Sequence, residues 1–185
     1  VRTFDGRVYA SHYSALTLMS LPVYGAPLDQ IHVTRAADSL SRRRRGLSIH
    51  TAYSPGAGSP DRPHSLRNPC SCHPGCSDDL WHRDGVVAAD AALANGRTTA
   101  DDLQAWLSKL SGHRNVTRAR QAVRLADARS ESVGESRTRL LLNAIGLPPP
   151  PPVAIREHHG MLVGRVDCLM ERAPVIIEIA WRVRR

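Results

Sequence analysis

The chain has 185 residues, 42% of them hydrophobic, enough apolar content for a packed core and an argument against wholesale disorder. A formal net charge of +8 and a pI of about 10.2 favour an anionic partner, most simply nucleic acid. No apolar run approaches the roughly 18 residues that suggest a membrane span. The opening Val1-Arg-Thr-Phe-Asp-Gly6 has no signal-peptide pattern, so a cytoplasmic location with reduced cysteines is expected.

Residues 10–21 predict a short helix, capped by Ser11 and stopped before Pro22. Ile31–Arg35 predicts a strand, and Ser41–Gly46 a basic turn into a second strand, Leu47–Ala52. From about Tyr53 to Arg83 no period survives, which predicts a long irregular loop. Val86 opens a helix ending at Gly96. Thr99, with Asp102 three residues on, opens a second, with Leu103, Trp106, Leu107 and Leu110 on one face and Gly112 at its end. Asn115 opens a third, lined inside by Val116, Ala119, Val123 and Ala126. Ser132-Val-Gly-Glu135 reads as a capping box leading into a fourth, closed by Gly146. The prolines at 148–152 form a stiff connector to the terminal strands.

Those strands carry the sharpest chemical signal. Val163–Met170 and Val175–Trp181 are apolar and β-branched, and Glu171-Arg-Ala-Pro174 supplies a turn. With those four residues as the loop, Met170 faces Val175, and counting back sets Asp167 opposite Glu178. Facing residues on a ladder have Cβ atoms about 4.5–5.5 Å apart, where two like charges need compensation. A divalent cation, an arginine or a raised pKa would each provide it. Val166, Cys168, Met170, Val175, Ile177, Ile179 and Trp181 alternate onto an apolar face expected to be buried. The other face holds Arg165, Asp167, Glu178 and Arg182, either as the floor of a metal site or as a cross-strand ion-pair set.

Other motifs have bland readings beside the chemical ones. Arg42, Arg43, Arg44 and Arg45 suit phosphate contacts, but a solvated turn explains them equally. Lys109 is the only lysine; arginine's planar fork favours bidentate phosphate binding, although GC-rich coding gives the same texture. Cys70, Cys72, His73 and Cys76 form one crowded knuckle with no second pair, so zinc binding is not expected there. Asp90 and Asp127 need no more than solvent-facing or ion-paired roles. Glu135 has a complete explanation as the third helical residue of a cap, yet it opens the helix leading to the acidic hairpin, where a third carboxylate would complete a metal site.

Glu131-Ser-Val-Gly-Glu135-Ser-Arg, Gly146-Leu-Pro-Pro-Pro, Gly164-Arg-Val-Asp167 and Val175-Ile-Ile-Glu178 together resemble a C-terminal domain of actinobacterial proteins. That domain is itself similar to very-short-patch-repair endonucleases of the PD-(D/E)XK fold. Upstream, Ser11-His12, Ser14-Ala15 to Leu21-Pro22, Leu28-Asp29 to Val33-Thr34-Arg35, and Val86–Leu93 resemble the middle of the same proteins, related to AbiEi-type antitoxins. The resemblance implies Asp167 and Glu178 as ligands of Mg²⁺ and Glu135 as a helix-borne catalytic acid; the basic charge makes DNA the expected partner, with Arg42, Arg43, Arg44, Arg45 and Arg165 as its expected contacts. Such a cation activates water and stabilises the leaving oxygen of a phosphodiester.

The sequence departs from that pattern. Glu178 is followed by Ile179-Ala180-Trp181, so the strand's second acid is missing, and no lysine lies nearby. The expectation is an α+β chain in four parts: a helix-strand segment (1–53), an irregular loop (54–84), a helical segment (85–130) and a truncated, degenerate endonuclease-like domain (131–185). Residues 54–84 are expected to come from an altered reading frame. The functional expectation is DNA binding with weak or absent cleavage; the alternative is a non-catalytic, antitoxin-type DNA-binding regulator.

Overall fold

The computed structural model describes residues 8–24, 28–35, 41–51, 78–110, 116–147, 153–170 and 175–179, with the backbone alone for 78–83. The expected turn at Glu171–Pro174, the proline connector, the cysteine cluster, Gly112, Asn115 and Ala180–Arg182 lie outside the described residues. The chain is a mixed α+β fold, as the sequence predicts.

Val8–Ala10 (β1) leads into a short helix, His12–Leu18 (α1). Ile31–Arg35 (β2), Arg42–Arg44 (β3) and Leu47–Thr51 (β4) follow. They make a four-stranded sheet in the order β1-β2-β4-β3, with β2 and β4 parallel and both outer pairs antiparallel. Two expectations change here. Arg42–Arg44 is an edge strand, not a turn; the reversal is Arg45-Gly46, and Gly46 takes φ +72°, which costs a glycine no Cβ clash. Ser11 sits at the helix start but caps no backbone N–H through its side chain.

The helical part begins earlier than expected. Asp78–Ala94 (α2) starts eight residues before Val86, inside the stretch whose lost periodicity predicts a loop. Ala100–Lys109 (α3), Val116–Leu125 (α4) and Val133–Ala144 (α5) complete the layer. Thr99 opens α3 as expected and forms a capping box with Asp102, each side chain taking the other's backbone N–H. Leu103 and Leu107 of α3 pack on Ala119 and Val123 of α4, with Leu93 and Val116 beside them. A second cluster joins Val86, Ala122 and Leu140 across α2, α4 and α5, with Leu125 packed on it. The apolar spacing along α3 and α4 therefore places Leu103, Leu107, Ala119 and Val123 in the core, as expected.

The terminal region is two small hairpins. Val153–Arg156 (β5) pairs with Leu162–Val166 (β6), and Cys168–Met170 (β7) pairs with Val175–Ile177 (β8). The expected single strand from Val163 to Met170 is thus broken at Asp167, whose residue change of partner strand the alternation of apolar residues does not record. The expected apolar face is only partly covered: Cys168 is buried, Met170 and Ile177 are half-buried, and Val175 is half exposed at 50%.

Candidate functional site

The register of the last hairpin is the one expected, with Met170 facing Val175 and Cys168 facing Ile177. One step beyond the ladder, Asp167 and Glu178 stand at the same open end. Asp167 Oδ2 accepts the backbone N–H of Ile179 at 2.8 Å, so this carboxylate fastens the end of β8. Glu178 is exposed. Burial, and then the Asp167 carboxylate, push the Cys168 thiol above its ordinary pKa, keeping it protonated.

Glu135 has the structural role that a cap predicts, with one difference. Its own N–H donates to Ser132 Oγ at 3.1 Å, while its Oε2 accepts the N–H of Glu131 at 2.9 Å. The carboxylate reaches one residue further back than in a capping box. Arg165 Nη1 meets Glu131 Oε1 at 2.9 Å rather than either hairpin acid, with both side chains more than half exposed. That ion pair links β6 to the residue preceding the Ser132 cap of α5. It does not gather Glu135, Asp167 and Glu178 into one three-ligand group: among the described residues, only His12, His32 and His50 converge in that way.

The arginine edge is the second feature. Arg42, Arg43, Arg44 and Arg45 are all exposed. Arg43 faces Ser48, while Arg42 faces Ile49 and Arg44 faces Leu47, so the strand presents arginine on both faces of the sheet.

The third feature lies beneath α1, and the sequence reading misses it. His32 and Thr34 of β2, with Ser48 and His50 of β4, share one face of the parallel pair because His32 faces Ser48 and Thr34 faces His50. Alternating polar residues ordinarily mark a solvent face, but α1 covers this one, and His32, Thr34 and Ser48 are buried. Two bonds fix the helix there: Ser11 N–H donates to the His32 carbonyl at 3.0 Å, and the His32 N–H donates to Ser14 Oγ at 2.8 Å. They bring His12 onto His50 with ring centroids 3.9 Å apart. His12 holds φ +52°, a left-handed conformation that costs a non-glycine residue about 1–2 kcal/mol.

One buried acid, Asp90, and two partly buried ones, Asp84 and Asp127, complete the polar groups of the helical layer. Asp90 is fully buried and receives Arg139 Nη2 at 2.6 Å and the Asp127 N–H at 2.6 Å. Burial raises its pKa, against the lowering effects of its bonds to Ser136, Asp127 and Arg139. Asp127 lies after α4 rather than within a helix, and bonds to Arg129 lower its pKa. Asp84, on α2, is raised to about 6 by burial, which outweighs the nearby Arg137 charge.

No protein-family profile matches the chain, and no solved structure does. Two uncharacterized proteins of Mycobacterium tuberculosis, from strains CDC 1551 / Oshkosh and H37Rv, are each 35% identical to it over 82 residues. The match covers 44% of this chain and 30% of each relative, so the shared segment is under a third of their length.

Proposed function

We propose that the protein is a DNA-binding member of an endonuclease-like lineage, holding the duplex through phosphate contacts and cleaving it weakly or not at all. The observation that carries this reading is the exposed arginine edge at Arg42–Arg45 on a chain of net charge +8. Residues two apart on a strand lie about 6.8 Å apart. That spacing lets Arg42 and Arg44, on one face of the edge strand, reach neighbouring phosphates of one strand. Charged edge strands also block sheet-to-sheet aggregation, a role with no salt-dependent ligand. The test is titration of labelled duplex across a salt series: affinity that falls steeply with salt and ignores sequence supports phosphate binding, and no binding at low salt contradicts it.

A second reading, a Mg²⁺-dependent nuclease, is favoured by the Met170–Val175 register, which leaves Asp167 and Glu178 at one end of the hairpin. Against robust activity stand the backbone duties of Asp167 and Glu135 and the alanine at position 180. Catalytic groups must be held to within a fraction of an ångström, since a misplacement of about 1 Å can cost a hundredfold in rate.

A further inference from the structure

We propose that His12, His32 and His50 form a binding site for Zn²⁺ or a closely similar transition-metal ion, separate from the acidic hairpin and the arginine edge. One ring nitrogen from each residue lies within 4.8 Å of the other two. His32 Nδ1 and His50 Nε2 are 3.0 Å apart. Two imidazole nitrogens on one tetrahedral zinc, each about 2.0–2.1 Å from it, are separated by about 3.3 Å. The pair is therefore already near ligand spacing, and a small outward rotation of either ring admits the ion. Binding needs a lone pair on both nitrogens, so the proton between them moves to the donor ring's other nitrogen, and each neutral ring then carries its proton on the nitrogen away from the ion.

His12 supplies the third ligand. Its Nδ1 lies 3.0 Å from Ser11 Oγ, which is itself buried. In the tautomer whose Nδ1–H donates to that hydroxyl, Nε2 carries the lone pair for the ion, the usual outer support of a metal-bound histidine. The left-handed backbone of His12 is an observed strain at the place where a ligand must be turned inward. Three neutral imidazoles select borderline metals such as Zn²⁺ over Mg²⁺ and Ca²⁺, which take oxygen ligands. Three protein ligands leave a fourth tetrahedral position for water or a small ligand.

The test uses the whole chain. Protein freed of metal with a chelator is titrated with Zn²⁺ and with Co²⁺ as a spectroscopic probe. The expected result is about one equivalent bound per chain, with a Co²⁺ spectrum of nitrogen and oxygen ligation that lacks a thiolate charge-transfer band. His50→Ala should lower the affinity at least tenfold, and a Cys70→Ser, Cys72→Ser, Cys76→Ser variant should leave it unchanged. The wild-type Co²⁺ spectrum decides the matter even where His50→Ala fails to fold. No stoichiometric binding, a thiolate band, or binding lost with the cysteines but kept in His50→Ala overturns the proposal.

Discussion

Arg139 Nη2 meets Asp90 Oδ2 at 2.6 Å, joining α5 to α2 around a carboxylate with 1% of its side chain exposed. The same guanidinium donates from Nη1 to the Leu125 carbonyl at 2.6 Å and from Nε to Ser130 Oγ at 3.2 Å. One side chain thus closes the end of α4, the following loop and the acid of α2. Removing one partner strands a buried charge, which typically costs 3–5 kcal/mol, whereas replacing both with apolar groups is often close to neutral. Asp90→Leu alone should therefore lose about 3–5 kcal/mol in urea unfolding, and Asp90→Leu with Arg139→Leu should recover most of it. Single-variant losses below about 1 kcal/mol would show that the pair is not holding the helices together.

Asp84 makes stability depend on pH. Its folded pKa, about 6, lies above the ordinary value of 3.8. The folded state therefore keeps the proton longer than the unfolded state, and stability falls as pH rises from about 4 to about 6. The full shift corresponds to roughly 3 kcal/mol, which partial exposure to solvent reduces to about 1–2. Asp84→Asn should raise the melting temperature above pH 6 and change little at pH 4. Thermal scans across that range check this, and a variant less stable at pH 7 than the parent contradicts it.

The terminal acids have a different test. Asp167→Ala should weaken the end of the hairpin, because the Ile179 N–H loses its acceptor. Amide exchange at Ile179 should quicken, while duplex binding stays within about twofold of the parent. Plasmid incubated with Mg²⁺ or Mn²⁺ should remain uncut by either protein. Robust cleavage by the parent, abolished in Asp167→Ala, would establish the nuclease reading.

Local signals in the sequence translate well into structure. The Thr99–Asp102 box, the helical core positions and the Met170–Val175 register follow from side-chain chemistry and period alone. The signals that fail depend on partners distant in the chain. Asp167 falls between two strands because β6 pairs with β5 while β7 pairs with β8. Arg165 turns to Glu131, thirty-four positions away, rather than to its sequence neighbours. The histidines stay hidden because Ile31-His-Val-Thr-Arg and Leu47-Ser-Ile-His-Thr alternate as exposed strands do. Only the placement of α1 over that polar face turns a solvent pattern into a buried cluster. A search for histidines at period-two positions in two adjacent strands would have found His32 and His50; His12 carries no such mark.

The salt dependence of duplex binding tests the central claim most directly. Each phosphate contact released contributes about 0.9 to the slope of log affinity against log salt. Arg42→Ser, Arg44→Ser and Arg45→Ser together should reduce the magnitude of that slope by roughly 2–3 and weaken binding at low salt, without preference for any sequence. An unchanged slope and affinity in this triple variant, in a protein of unchanged fold, would contradict the assignment of the arginine edge as the DNA-binding surface.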